Sequence, residues 1–100
     1  MSIKFARRSD AAVVSVHGPL FAGNRQELKQ AVIDALDQGS RTVLIDFTDT
    51  GYIDSSGLGV LISLSKKIRE RGAELRLANL NGDLRTLFER TKLDALFQLE

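Results

Sequence analysis

Between Thr42 and Ala78 the hydrophobic pattern changes period twice, and this restricts the possible folds more than any other feature of the chain. Thr42-Val-Leu-Ile-Asp-Phe47 is a near-continuous apolar run of strand length, the pattern of a central strand covered on both faces. From about Ser56 to Arg71 the apolar residues recur at helical spacing, and Gly72 stops them. Glu74 to Ala78 then alternates as a strand again. Strand, helix and strand in so short a span imply a crossover onto a parallel sheet, and such crossovers are right-handed.

The flanking segments extend this unit. Ile3 to Arg7 alternates as a half-buried strand, and Ala12 to Val16 is a second run rich in β-branched residues. Ser9-Asp10 suits a tight turn between them, so the two strands are expected to pair antiparallel. Asn24 opens a helical period with Leu28, Ala31, Val32, Ala35 and Leu36 on one stripe, and Asn24 with Glu27 resembles a capping box. Gly39 supplies the stop. A third helix is read from Asp83 to about Thr91 with Leu84, Leu87 and Phe88 inward, then a short strand from Ala95 to Leu99. No repeat or linker interrupts the 100 residues, so 1–100 reads as one domain. The expected class is α/β in the order β-β-α-β-α-β-α-β. It has a mixed, mostly parallel sheet of four to five strands, an opening antiparallel hairpin and three to four helices.

Composition narrows the function. With 43% hydrophobic and 27% charged residues the chain is ordinary globular material. Fourteen Lys and Arg against thirteen Asp and Glu leave a net charge of +1, which gives no electrostatic case for nucleic acid or a membrane surface. The absence of cysteine removes thiolate and disulfide chemistry, and a single histidine disfavours a His-based metal site. No apolar run approaches the ~20 residues of a membrane span. The opening Met-Ser-Ile-Lys-Phe-Ala-Arg-Arg lacks the apolar stretch of a signal peptide, so a cytoplasmic protein without cofactor or metal is expected.

The functional signal lies in Asp46 to Gly59, a strand, a short polar loop, and Asp54-Ser55-Ser56-Gly57 at a helix start. Asp54 or Ser55 can cap the helix, because either side chain can accept from its exposed N–H groups. The same place favours an added anion, such as a phosphorylated hydroxyl, through unpaired donors and the positive end of the helix dipole. Gly57 and Gly59 are expected to keep the first turn uncrowded, so that a partner can approach closely. Taken alone, Asp-Ser-Ser-Gly is more often a plain helix cap, and it is the setting after a buried strand that gives it weight. Along this helix Leu61, Leu64 and Ile68 centre on one direction, while Leu58 and Ile62 lie about 90–130° away at ~100° per residue. Either neighbouring elements cover Leu58 and Ile62, or the two form a contact patch beside Ser55.

Those residues carry a family resemblance. Tyr52-Ile-Asp-Ser-Ser-Gly-Leu-Gly-Val-Leu61, preceded by Val43-Leu-Ile-Asp-Phe47, resembles the STAS domain of bacterial anti-sigma-factor antagonists. Gly18, Gly72-Ala-Glu-Leu-Arg-Leu77, Leu87-Phe88 and Leu93-Asp-Ala-Leu-Phe97 add weaker support, so the likeness runs from about residue 3 to 99. The resemblance implies a partner-switching cycle. An anti-sigma factor that is also a serine kinase binds the unphosphorylated antagonist, phosphorylates the serine after the motif's Asp (here Ser55) and lets it go. A PP2C-type phosphatase reverses the step. Taking the residue-level reading and the resemblance together, the expected partner contacts are Phe21, Asn24, Asp54, Ser55, Ser56, Gly57, Leu58 and Ile62.

Two departures stand out. Many such antagonists carry Gly-x-Leu-Asp after the second strand, whereas this chain has Gly18-Pro-Leu-Phe-Ala-Gly-Asn24 with no acid, Asn24 being a partial substitute and Phe21 an apolar addition. Relatives also often continue past the position of Glu100 with another helix, so the last strand is expected to be thinly covered. An enzyme is the weaker reading: Ser-Ser-Gly-Leu-Gly is not the Gly-x-Ser-x-Gly elbow, no P-loop is present, and His17 has no sequence link to Ser55. Asp46, Asp49 and Asp54 read as turn acids and caps before a metal cluster. Lys66, Lys67, Arg69 and Arg71 fall at a helix C-terminus, where cations suit the dipole without any RNA. The principal alternative is a STAS subunit of a lipid-transport or stress-signalling assembly, acting as an unphosphorylated interaction module.

Overall fold

A computed structural model describes residues 3–8 and 10–99, with the Arg8 side chain left undescribed. The turn assigned to Ser9, and Met1, Ser2 and Glu100, lie outside the described residues. The elements are β1 (Ile3–Arg8), β2 (Ala11–His17), α1 (Arg25–Asp37), β3 (Thr42–Asp49), α2 (Ser55–Glu70), β4 (Glu74–Ala78), α3 (Gly82–Arg90), a 3-10 turn (Leu93–Ala95) and β5 (Gln98–Leu99). The last strand is therefore two residues long rather than five, because Ala95 ends the 3-10 turn.

The sheet runs β1-β2-β3-β4-β5, antiparallel only between β1 and β2. Each parallel crossover advances one strand in the same direction, so the sheet has no point where neighbouring connections diverge to open a ligand crevice. Register explains the core. Ala12 and Val14 pair with Val43 and Ile45, which pair with Leu75 and Leu77, so these alternating residues share one face and are all buried. From α1, Leu28, Val32, Ala35 and Leu36 pack onto that face, and from α2, Val60, Leu61, Leu64 and Ile68. Leu84 and Phe88 of α3 complete the cluster, with the Phe88 and Phe97 rings tilted at 5.8 Å. At roughly 1.5–3 kcal/mol per fully buried large side chain, this layer dominates stability.

Although β3 is the central strand, it is not covered on both faces. Val43, Ile45 and Phe47 are buried, whereas Thr42, Leu44 and Asp46 on the opposite face are half-exposed. Gly39 and Gly72 end their helices at φ +92° and +72°, the left-handed conformation that a side chain would strain. Of the expected capping box at α1, the half that Asn24 would supply is absent. Asn24 is the N-cap residue, yet its side chain makes no cap hydrogen bond.

Candidate functional site

The segment between β3 and α2 is held from below by the loop that follows β2. Leu20 forms a parallel bridge with Ile53: its N–H donates to the Tyr52 carbonyl at 2.9 Å, and its carbonyl accepts from the Asp54 N–H at 3.1 Å. The Leu20 side chain is fully buried, so the bridge is also a packing anchor. Two loops distant in sequence thus become one rigid ledge at the start of α2.

On that ledge Asp54 is the cap. Its Oδ1 accepts from the Gly57 N–H at 2.8 Å, and its carbonyl takes the first helical bond from Leu58 N–H at 2.9 Å. The choice left open between Asp54 and Ser55 therefore falls on Asp54. Ser55 is the first helical residue and is exposed, with its hydroxyl outside the cap. Ser56 beside it is half-buried. The first-turn N–H groups of Ser55 and Ser56 precede any intrahelical acceptor, and the helix dipole is positive here.

The structure redistributes the other expected contact residues. Phe21 is 43% exposed and Ile62 40%, consistent with surface contact. Leu58 is half-buried and packs against the core, so of the two readings of this residue the covered one holds. Gly57 does not open the turn to a partner. It is buried, and a Cβ there would stand 2.8 Å from the Leu20 carbonyl oxygen and 2.9 Å from Ile53 Cγ2. Its glycine serves the internal ledge, while Gly59 faces open space.

Asn24 also turns inward. Only 6% exposed, it donates through Nδ2 to the Pro19 carbonyl at 2.8 Å and accepts at Oδ1 from the Phe21 N–H at 2.9 Å. It closes the Pro19–Asn24 loop and thereby presents Phe21, so it is a positioning residue rather than a contact or a substitute acid. Sequence reasoning missed Tyr52, which at 60% exposure is the most exposed large apolar side chain here. The signal was present: alternation beside buried Ile53 sends Tyr52 outward. It also missed Arg25 and Lys29 of α1, which line a shallow cleft of about 230 Å³ with Gly59, Val60 and Ser63.

Two polar clusters lie at this end of the sheet. His17 Nδ1 lies 2.9 Å from Asp49 Oδ2. Asp46 Oδ1 accepts from the Thr48 N–H, the Thr48 hydroxyl and Asn79 Nδ2, at 3.0, 2.6 and 3.0 Å. Burial pushes the Asp46 carboxyl up, but the bonds from Asn79 and Thr48, with the charge of His17, outweigh it and hold the group below its ordinary value. Among the described residues no three His, Asp or Glu side chains converge on a metal site, and no helix is long and apolar enough to cross a membrane.

Comparison with known proteins extends this geometry. Residues 2–100 match the model of the STAS domain. The anti-sigma-B factor antagonist of Listeria monocytogenes is 32% identical over 94% of this chain and 82% of its own length. The crystal structure of an anti-sigma factor antagonist from Mycobacterium paratuberculosis superposes with a TM-score of 0.83 at 22% identity, over 97% of this chain and 82% of that one. The Bacillus cell fate determinant SpoIIAA in its phosphorylated form superposes with a TM-score of 0.76 at 18% identity, over 98% of this chain and 90% of that one. Its unphosphorylated form gives the same TM-score at 17% identity, over 98% and 86%.

Proposed function

The chain belongs to the STAS domain family, and from that premise we propose that it is an anti-sigma-factor antagonist working by partner switching, with Ser55 as the switch. Unphosphorylated, it binds an anti-sigma factor that is also a serine kinase; phosphorylated on Ser55, it is released, and a PP2C-type phosphatase resets it. The single observation that carries this reading is the position of Ser55. It is exposed at the first position of α2, outside the cap, where the ledge loops carry exposed Phe21 and Tyr52 and α2 itself carries exposed Ile62 two turns on.

Electrostatics supplies the switch. Phosphorylation adds about −1.5 to −2 charges at neutral pH. Within the domain, the N-terminal end of α2 accommodates the anion. Across an interface, the same anion beside the Asp54 carboxylate adds repulsion and a desolvation cost. Every ~1.4 kcal/mol so lost is tenfold in affinity. The fold itself needs no rearrangement, in keeping with the equal likeness to the two forms of SpoIIAA.

The test is incubation with a candidate anti-sigma kinase and ATP, followed by mass spectrometry and calorimetry. Phosphate on Ser55, constitutive binding by Ser55→Ala and loss of binding by Ser55→Asp are expected. Equal binding by the two variants, or phosphate on Ser56 instead, removes the proposal. An unmodified Ser55 with a transporter subunit recovered in pull-downs supports the interaction-module alternative.

A further inference from the structure

We propose that β1 pairs antiparallel with β1 of a second copy, about a two-fold axis at Phe5, to form a weak dimer whose sheet is continuous. The β1 strand lies at an edge of the sheet, with β2 as its neighbour in the strand order. Ile3, Phe5 and Arg7 pair with Val16, Val14 and Ala12 and so lie on the helix-bearing face. Phe5 is nonetheless 42% exposed. It borders an open groove of about 540 Å³ also lined by Glu27, Gln30, Ala31 and Asp34 of α1 and by Gln38 just past its end.

Charge chooses both the occupant and its register. Cations on an edge strand ordinarily keep other strands away, and β1 carries Lys4, Arg7 and Arg8. Opposed residues of an antiparallel pair share a face, so a two-fold pairing must centre on one residue. Centring on Lys4 sets Lys4 against Lys4, and centring on Ala6 sets Lys4 against Arg8. Like charges directly opposed are destabilising. Centring on Phe5 sets Lys4 against Ala6, Arg7 against Ile3, and Phe5 against itself. Of these registers, this one keeps Lys4 and Arg7 away from other cations and joins the two exposed rings.

The same register is complementary across the groove. Ile3 and Glu27 lie along one groove, while Arg7 of the same copy donates to Gln38 Oε1 near its far end at 3.5 Å. The second copy's Arg7, opposite Ile3, is therefore delivered to the Glu27 end, and symmetry repeats the contact. Strands of six residues with one helix face fall short of the ~1,200–2,000 Å² of a stable interface, so a dissociation constant of roughly 10–1000 μM is expected. Phe21, Tyr52 and Ile62 take no part, and the inference does not depend on Ser55 being phosphorylated.

The chain has no cysteine, which allows a direct test. Sedimentation of the unmodified protein from ~5 μM to ~1 mM brackets the expected constant and should show a monomer passing to a dimer. Residues facing each other across an antiparallel pair have Cα separations of about 4.5–5.5 Å, within disulfide range. Phe5→Cys is accordingly expected to oxidise to a covalent dimer about tenfold faster than Lys4→Cys or Ala6→Cys. Arg7→Glu should weaken the dimer about fivefold or more, and adding Glu27→Arg should restore it. A protein that stays monomeric throughout, or one whose cross-linking is fastest at position 4 or 6 or equal at all three, overturns the proposal.

Discussion

A Cβ on Gly57 would lie 2.8 Å from the carbonyl oxygen of Leu20, thirty-seven positions back along the chain, the same oxygen that accepts the Asp54 N–H at 3.1 Å. The first turn of α2 is thus pressed against backbone that cannot yield without breaking the Leu20–Ile53 bridge. Gly57→Ala is expected to destabilise the domain by about 1–3 kcal/mol, although alanine is the better helix former. Gly59→Ala meets nothing within 4 Å and should stabilise it by about 0.5–1 kcal/mol. Urea unfolding of the two variants measures the contrast; equal shifts would show that Gly57 is not held against Leu20.

Asp54 separates capping from charge. Its carboxylate oxygen accepts from the Gly57 N–H, a bond that an asparagine oxygen can also accept. Asp54→Ala should cost about 1 kcal/mol in thermal or urea unfolding, and Asp54→Asn only a few tenths. If both cost the same, the charge rather than the cap stabilises this helix start.

How much of this was legible in the sequence depends on range. The helical stripes were readable because burial repeats locally: Leu61, Leu64 and Ile68 are buried as their spacing required, and Gly39 and Gly72 end their helices. The order of strands followed from the alternation of periods. The ledge was not readable, since the Leu20–Ile53 bridge joins two loops that carry no pattern of their own. Glycine at position 57 is compatible with openness or with close packing, and only the tertiary neighbour decides. Asn24 was misread for the same reason: a cap residue by position, it found better partners in Pro19 and Phe21. The alternation of Ile3 to Arg7 marked a half-buried strand but not which side chains stay open, and Phe5 on the edge strand is 42% exposed.

Contact and positioning residues at the ledge should part company in mutants. Tyr52→Ala and Ile62→Glu change exposed side chains and are expected to weaken anti-sigma-factor binding about tenfold or more with little change in unfolding temperature. Asn24→Ala removes the hydrogen bonds to the Pro19 carbonyl and the Phe21 N–H and should lower stability by about 1–2 kcal/mol, with binding falling as a consequence of a displaced Phe21. Charge reversal of Arg25 or Lys29 should slow association, and the effect should fade at high salt. Calorimetry with paired unfolding curves distinguishes the classes; an Ile62→Glu protein that unfolds early would place Ile62 in the core.

Asp46 gives the fold an acid-sensitive staple between β3 and the turn after β4. Three donors, two from Thr48 and one from Asn79, converge on one oxygen, and together with the His17 charge they hold the folded carboxyl below its ordinary value of 3.8. Below that ordinary value the unfolded chain takes up a proton before the folded one does. The staple's contribution is therefore complete above the unfolded value and is lost as pH falls through the folded one. Asp46→Asn should cost about 0.5–1.5 kcal/mol at neutral pH, since a neutral acceptor replaces a charged one. It should also flatten the fall in stability below about pH 4.5, because the titrating group is gone. Urea unfolding of both proteins between about pH 3 and pH 7 checks this. Parallel curves across that range would mean that Asp46 titrates alike in the folded and unfolded chains, and that its three donors do not favour the charged form.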